Sequence, residues 1–551
     1  MIQLRASNRR FSRDSLPRFF PYLWLPLWGG AALVAIFQHG PMPMYSTRTL
    51  SVAWEMWLHH SILVPYLNGL PYSDKPPLLL WLIQLGWAVA GVNDVWPRLL
   101  EVLLGAFQLL LAWRLARHLF PQEIRIAHAT AWILSAFTYG FLFGLQVMYE
   151  VQLADCVLAA MLCLAPAAHG KAPRFGGFSL ALSLGLLTKG PVLLLHAGVP
   201  WLLGPLWSEW ARRERRHWYC RGGLSFLAAC TVLLAWALSA AWVGGNAYQR
   251  MLLVHQTAGR VVDAFAHAHP FWWYLPLLPV LAFPFALWPR IWFALLRWRL
   301  PLEPGVRFLL AWLVPVLLGF SLISGKQPYY LLPEFAGLAM LMAVALIRAD
   351  ASEAANSRWL SPWPLAALFA ASGLVLIGLD ALIAGHALSD PLYTVMASHS
   401  LPFGVFYLLL ALLLVAFRKG ELYRVAGAGL AAAVAANGLF SLTLWPAYDF
   451  APVSHLVAKA QSENRPVASF ESNDGQYTFL GRLTQPVEQL HSASSLRAWS
   501  GEHADGLVIV YPKRLSQADY DQAIYIHPFR GISLAIWPAP ALAKALPQED
   551  L

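Results

Sequence analysis

Length, composition and charge exclude a soluble protein. Of the 551 residues, 58% are hydrophobic and only 12% are charged, whereas soluble domains contain about 45–50% apolar and about 25% charged residues. With 26 Trp, 29 Phe and 19 Tyr the chain is too apolar to be disordered. Its four cysteines lie in or beside apolar runs, so no disulfide framework is encoded. We therefore predict an all-α polytopic membrane protein whose net charge of +10 reflects membrane orientation rather than nucleic-acid binding.

Residues 1–18 are a basic segment that we expect in the cytoplasm, followed by a retained first helix and not a cleaved signal peptide. Residues 19–447 are predicted to form the transmembrane domain, because a bilayer core takes about 20 apolar residues per helix and fewer where protein surrounds the helix. Thirteen helices are expected near residues 19–37, 97–117, 127–146, 153–168, 175–188, 191–207, 223–243, 272–289, 307–323, 331–347, 363–385, 401–417 and 425–446.

Most Lys and Arg residues fall in loops on the side of the N-terminus, which predicts that this side is cytoplasmic. An odd number of helices then places residues 448–551 outside. That region has four strand-like runs and two helical stretches, so we predict a small α/β domain at the extracytoplasmic face. Its strand-like runs are 466–470, 506–511, 523–527 and 533–537, and its helical stretches are near 453–462 and 515–522.

Seven cations are predicted on the outer side, against the orientation bias. They are Arg48, Lys75, Arg98, Lys189, Arg250, Arg260 and Lys326. A cationic cluster at the outer interface suits an anionic lipid headgroup such as a phosphate. The alternative is that single side chains extend to ordinary phospholipid headgroups.

The first outer segment, 38–96, contains a polar motif, Ser73-Asp74-Lys75-Pro76-Pro77. The two prolines fix the backbone after Asp74 and Lys75, which favours a site over a surface ion pair. The apolar run 76–91 is only 16 residues long, so we expect a juxtamembrane or re-entrant element.

Two further polar positions interrupt the apolar runs. Asp155 lies where the fourth helix is expected to begin, so it is either an N-terminal cap or a chemical group. The motif Thr188-Lys189-Gly190-Pro191 divides a stretch too long for one crossing. Lys189 is therefore predicted at the outer turn of a helical hairpin.

The segment 246–274 carries three histidines and Asp263, and ends in an aromatic run. Their spacing matches no standard zinc pattern, and a hydrated interfacial loop is an equal alternative. The sequence identifies no cofactor, and a divalent ion among Asp74, His267 and His269 is one alternative. Lys326, followed by Tyr329 and Tyr330, is expected at the outer end of the ninth helix as a phosphate-binding or an interfacial group.

No nucleotide-binding or hydrolase motif occurs in a usable context, which argues against ATP-driven and nicotinamide chemistry. Five motifs in order over residues 40–335 do resemble integral-membrane glycosyltransferases that use polyprenyl-phosphate sugars. This superfamily is related to protein O-mannosyltransferases, and the chain is most similar to its 4-amino-4-deoxy-L-arabinose lipid A transferases. The motifs are Tyr72–Pro76, Leu153–Val157, Leu187–Val192, Gly259–Tyr274 and Lys326–Pro333.

The resemblance implies a GT-C fold with a periplasmic C-terminal domain in the bacterial inner membrane. It implies transfer of a sugar from undecaprenyl phosphate to an acceptor such as lipid A. It also implies a substrate-binding cavity on the outer side of the membrane. We assign Arg48 to this cavity as a further substrate-binding residue. The implied cavity residues are Asp74, Lys75, Asp155, Lys189, Arg260, Lys326, Tyr329 and Tyr330.

One position departs from the family pattern. The family has an acidic residue in the first outer loop, where this chain has Tyr45-Ser46-Thr47-Arg48, and Glu55 matches a different, helical position. Asp155 is then the first candidate for the catalytic base, and Asp74 is the second. Alternatively, the acceptor needs no base, or the protein has lost the activity. The alternatives to an inverting transferase are a non-catalytic lipid-binding relative and a lipid flippase or transporter.

Overall fold

The computed structural model describes residues 19–252, 268–298, 301–349, 357–379, 381, 383, 391–417, 419–470, 473–512, 521–530 and 532–545. Helices dominate up to residue 462, and a small sheet follows. The helices before residue 215 are α1 Trp24–Gln38, α2 Ser46–Leu58, α3 Leu78–Ala90, α4 Val95–Leu119, α5 Ile124–Ala136, α6 Thr138–Gly144, α7 Tyr149–Leu164, α8 Phe175–Lys189, α9 Val199–Leu202, α10 Gly204–Trp207 and α11 Glu209–Arg213. The later helices are α12 Arg215–Arg250, α13 Tyr274–Leu281, α14 Pro289–Leu296, α15 Pro304–Leu322, α16 Phe335–Ala349, α17 Trp363–Ile377, α18 Pro391–Ala416, α19 Glu421–Thr443, α20 Ala451–Ser462, α21 Ala493–Glu502 and α22 Ala539–Ala545.

The predicted all-α membrane part is confirmed. Among the described residues, seven helices are long and apolar enough to cross a membrane, and the bent pair α5–α6 makes eight. Four shorter apolar helices accompany them: α1, α3, α8 and α17. The number of thirteen spans and the domain boundary at residue 447 stay predictions.

Three helices predicted as continuous are broken. The predicted helix 127–146 bends by 64° between α5 and α6, where Phe137 is extended, with φ −62° and ψ 105°. The predicted helix 272–289 is split into α13 and a 3₁₀ turn, and the predicted helix 191–207 into a π-helical turn, α9 and α10. Prolines in these last two stretches lack the N–H that helical hydrogen bonding needs, which accounts for the breaks.

Helix α7 lies in the interior of the bundle. All of its residues are buried except Ala159, Leu162 and Cys163. It packs against α4 on one side and α8 on the other. Polar side chains on α7 therefore lie within protein and not against lipid, which is where membrane proteins keep ionisable groups.

The first outer segment is more structured than its sequence suggests. Between α2 and α3 it forms a short antiparallel hairpin of strands β1, Tyr66–Leu67, and β2, Leu70–Pro71. Helix α3 has 13 residues, fewer than a bilayer core requires, which agrees with the expected juxtamembrane or re-entrant element.

The C-terminal region forms the predicted α/β structure. Its sheet has the order β4-β3-β5-β7-β6, with β3 parallel to β4 and β5 and the remaining pairs antiparallel. Strands β3 and β5 are buried along their length because helix α20 covers one face of the sheet and α21 and α22 cover the other. The four predicted strands and the helix near 453–462 are confirmed, β4 was missed, and the stretch 515–522 lies largely outside the described residues. The strands are β3 Val467–Phe470, β4 Glu488–Leu490, β5 Leu507–Val510, β6 Tyr525–Phe529 and β7 Ile532–Pro538.

Candidate active site

The turn after α8 brings two separated motifs into contact. Helix α8 ends at Lys189, and Gly190 follows with φ +69°, a conformation that suits glycine. A Cβ atom on Gly190 would lie 3.9 Å from Pro76 Cγ, so the Ser73–Pro77 motif touches this turn. Lys189 therefore lies at the turn after α8, as predicted, whereas the second helix predicted at 191–207 is broken and the outer position of the turn stays a prediction.

Lys189 is held by an acid and two aromatic rings. Its Nζ donates to Glu150 Oε1 at 2.6 Å, and the two side chains are only 11% and 6% exposed. The same Nζ lies 5.7 Å from the ring centroid of Tyr329 and 5.0 Å from that of Tyr330, within cation–π range. The structure thus brings together three residues predicted for the site, and adds Glu150.

Asp155 does not cap a helix. Helix α7 begins at Tyr149 with Met148 as its N-cap, so Asp155 lies in the second turn of the helix and the capping alternative is wrong. Within the part of the chain that the structure describes, both carboxylate oxygens of Asp155 are buried without a hydrogen-bond partner. Glu101 on α4 is also fully buried and interacts electrostatically with Glu150 and Asp155. Glu101 therefore lies near both Asp155 and Glu150, the acid that holds Lys189.

The start of α2 lies near Tyr329. The ring of Tyr45, just before α2, meets Tyr329 edge-on at 6.2 Å, and Arg48 interacts electrostatically with Tyr329. Ser46 occupies the region where an acid was expected, and its hydroxyl donates to Gln146 Oε1 at 3.1 Å and accepts from Val147 N at 3.0 Å. These bonds tie the start of α2 to the segment that leads into Glu150.

Asp74 and Lys75 lie at the edge of this arrangement. Asp74 is exposed and Lys75 is half-buried. Asp74 is close enough to Tyr149, at the start of α7, to interact with it electrostatically. The roles predicted for Asp74 and Lys75 stay predictions.

Lys326 has a structural environment. Its side chain is buried, and its Nζ donates to the backbone carbonyl of His269 at 2.9 Å and to that of Ser324 at 3.5 Å, and also to that of Ile323. These hydrogen bonds therefore hold the segment just before Tyr329 and Tyr330 against the backbone of His269. Phosphate binding by Lys326 stays a prediction, and this geometry favours a role in placing the two tyrosines.

Glu55 is accounted for by the fold. Its carboxylate accepts from the backbone N–H of Asn68 at 2.6 Å and of Gly69 at 2.8 Å, in the turn of the β1–β2 hairpin. Burial raises the pKa of Glu55 above its usual range, and the two N–H groups partly oppose this. The interpretation that Glu55 does not replace the first-loop acid agrees with this position.

Two predicted residues, Arg260 and His267, lie outside the described residues. His269 is exposed and its ring stacks on Trp273, with centroids 4.3 Å apart. No group of three or more His, Cys, Asp or Glu side chains that could hold a metal occurs among the described residues. A divalent ion at Asp74, His267 and His269 stays a prediction.

The structure also contains a buried histidine–glutamate pair that the sequence did not predict. His196 Nδ1 lies 2.7 Å from Glu334 Oε1, with side chains 1% and 8% exposed. The pair joins the π-helical turn Leu194–Gly198 to the 3₁₀ segment Pro328–Glu334 that carries Tyr329 and Tyr330. The two residues are separated by 138 positions, so no local pattern links them.

Comparison with known proteins agrees with the resemblance. The family model described as dolichyl-phosphate-mannose-protein mannosyltransferase matches residues 74–236. Two curated relatives are named undecaprenyl phosphate-alpha-4-amino-4-deoxy-L-arabinose arabinosyl transferase. The one from Pseudomonas paraeruginosa strain DSM 24068 / PA7 is 34% identical over 337 residues, which are 59% of this chain and 59% of that protein. The one from Edwardsiella ictaluri is 31% identical over 310 residues, 54% of each chain.

The fold is shared over nearly the whole length. The crystal structure of ArnT from Cupriavidus metallidurans bound to undecaprenyl phosphate superposes with a TM-score of 0.73 at 18% identity, covering 96% of this chain and 99% of that one. The apo structure of the same protein gives the same values. The sequence matches span less than two thirds of the curated relatives, and the fold match extends beyond them. The chain is therefore similar in sequence to the mannosyltransferase family over residues 74–236, and over nearly its whole length it has the fold of the ArnT structure.

Proposed function

We propose that this protein transfers a sugar from a polyprenyl phosphate donor, undecaprenyl phosphate in a bacterium, to an acceptor such as a lipid A phosphate. The reaction takes place at the periplasmic face of the inner membrane. The observation that carries the proposal is the environment of Lys189 and the turn that follows it, where four separate stretches of sequence come together. They are the Pro76 motif, Glu150, the Thr188–Pro191 turn and Tyr329–Tyr330.

The leaving group determines what the site has to do. When the bond from the anomeric carbon to the donor phosphate breaks, its electron pair stays on the lipid phosphate, which leaves as a monoester. Lys75, Lys189 and Arg48 are cations of the kind that stabilise such developing charge, and no general acid is needed. The acceptor oxygen forms the new bond from the opposite face of the sugar, so the configuration at that carbon is inverted.

The acceptor decides whether a base is needed. A phosphate oxygen is already anionic, whereas a hydroxyl must lose its proton to a carboxylate. Asp155, in the Leu153–Val157 motif, is the preferred acceptor of that proton, and Asp74, in the Tyr72–Pro76 motif, is second. The absence of an acid in Tyr45–Arg48 favours a phosphate acceptor.

The test is to incubate purified protein with labelled undecaprenyl phosphate–aminoarabinose and either lipid A or a hydroxyl acceptor. Transfer to lipid A supports the proposal. Donor binding without transfer supports a non-catalytic relative, and movement of donor across a vesicle without transfer supports a flippase.

The same assay tests Asp155. With a hydroxyl acceptor, Asp155→Asn is expected to lower turnover about 100-fold or more, the usual contribution of a general base, while expression is retained. The exposed Asp505→Asn serves as the control and should match the wild type. Unchanged turnover in Asp155→Asn would remove that residue from the chemistry.

A further inference from the structure

The C-terminal region contributes a charged residue to the candidate site. Arg48 Nη2 lies 2.8 Å from Asp474 Oδ1, with side chains 34% and 38% exposed. Arg48 also interacts electrostatically with Tyr329, which in turn faces Lys189. Arg48 thus lies between Asp474 of the C-terminal region and Tyr329 of the site.

The loop that carries Asp474 contacts both the C-terminal region and the first outer segment. Asp474 N donates to Gln476 Oε1 at 2.7 Å, and Gln476 Nε2 donates to the Tyr511 hydroxyl at 2.8 Å. Gly475 has φ +75° and approaches Leu67 so closely that a Cβ atom there would lie 2.4 Å from Leu67 Cδ1. Asp474 is therefore held in place by contacts on both sides of its loop.

Helix α2 contacts this loop less than one helical turn from Arg48. The Ser51 hydroxyl donates to the Gly475 carbonyl and accepts from Phe479 N at 3.0 Å. Further along α2, Trp54 Nε1 donates to the Leu483 carbonyl at 2.8 Å. The position of Asp474 relative to Arg48 is consequently set by the docking of the whole C-terminal region.

Arg48 retains unused donor capacity. A guanidinium carries five N–H donors in a planar fork and binds phosphate oxygens well. Among the described residues, Arg48 Nε is buried and has no hydrogen-bond partner. A buried donor without a partner is costly, so it points to an acceptor that arrives with a ligand.

We propose that Asp474 is a positioning residue, which fixes Arg48 so that the remaining guanidinium donors face a phosphate oxygen of a substrate. The C-terminal region then completes the site. This inference rests on the proposed function, and the phosphate belongs either to the lipid donor or to the acceptor. The sequence gives no sign of the pairing, because 426 positions separate the two residues.

The test compares Asp474→Asn with the wild type in transfer kinetics and thermal stability. The KM for one of the two phosphate substrates is expected to rise about tenfold, equivalent to about 1.4 kcal/mol, with kcat changed less. The Tm should stay the same, because a partly exposed ion pair contributes little to stability. A raised KM for the donor assigns Arg48 to the donor phosphate, and a raised KM for the acceptor assigns it to the acceptor phosphate.

Three variants separate positioning from a merely structural role. Asp474→Glu should recover part of the KM. Arg48→Gln should show the same KM with and without Asp474→Asn. Trp54→Phe removes a docking hydrogen bond away from Arg48 and should leave KM unchanged. Wild-type kinetics in Asp474→Asn, or parallel losses of Tm and activity in Asp474→Asn and Trp54→Phe, would overturn the inference.

A failure of the proposed function can be distinguished from a failure of the positioning role of Asp474. If the wild type transfers no sugar, equilibrium binding of undecaprenyl phosphate and of lipid A to nanodisc-embedded protein replaces turnover. A weaker affinity for either ligand in Asp474→Asn then still supports the positioning role. Unchanged affinity for both ligands overturns it.

Discussion

At the scale of single residues, Glu150 balances the charge of Lys189. The two opposite charges are 2.6 Å apart and nearly buried, so the pair is close to neutral as a unit. Under the proposed function, the donor phosphate competes with the Glu150 carboxylate for the ammonium, while Tyr329 and Tyr330 lie within cation–π distance of that ammonium. Lys189 was predictable because a lysine interrupts a long apolar run. Glu150 was not, since pairing across 39 positions depends on how α7 packs against α8.

Breaking this pair should separate folding from binding. Lys189→Met leaves a buried carboxylate without a partner, which costs about 3–5 kcal/mol and should lower the Tm measured in detergent. Adding Glu150→Gln removes both charges and should restore most of that Tm, whereas transfer activity stays low because the phosphate-binding cation is still missing. The exposed pair of Lys459 and Glu463 is the control, and Lys459→Met should change neither quantity. Wild-type turnover in the double variant would exclude Lys189 from phosphate binding.

At the scale of elements, local patterns predicted which stretches are apolar but not where they break. The turn at Lys189 followed from length, because 175–207 is too long for one crossing. The hairpin β1–β2 and the strand β4 were missed because two or three residues carry no usable periodicity. The bend at Phe137 was missed because no proline or glycine lies at that position. The prolines in 191–207 and 272–289 do indicate helix breaks, which an average hydropathy over the stretch does not show.

The turn after α8 should be sensitive to its glycine. Gly190 has φ +69° and ψ −149°, where a side chain costs about 1–3 kcal/mol. Gly190→Ala should therefore displace Lys189 from Glu150, lower the Tm and raise the donor KM. Gly176→Ala on the same helix is the matched control, since a Cβ atom there meets nothing within 4 Å. It should leave kinetics unchanged. Equal behaviour of the two variants would show that the turn does not position Lys189.

At the scale of the whole molecule, the interface between α2 and the C-terminal region constrains the topology. Arg48, Ser51 and Trp54 contact residues 474, 475, 479 and 483, so the first outer segment and the C-terminal region lie on the same side of the membrane. The chain between them must then cross the bilayer an even number of times. Twelve predicted helices after the first satisfy this condition. Charge predicted which side that is, and only the folded contacts show that the two regions meet.

Cysteine accessibility tests the orientation directly. Cys220 is exposed near the start of α12, in the basic stretch predicted to be cytoplasmic, and Ser494 is exposed at the start of α21 in the C-terminal region. In spheroplasts, a membrane-impermeant maleimide should label the Ser494→Cys variant at once, whereas Cys220 should react only after permeabilisation. A Cys220→Ser background assigns the signal to position 494. Labelling of Cys220 first would place the C-terminal region and Arg48 in the cytoplasm, and a periplasmic acceptor such as lipid A would then be out of reach of the site.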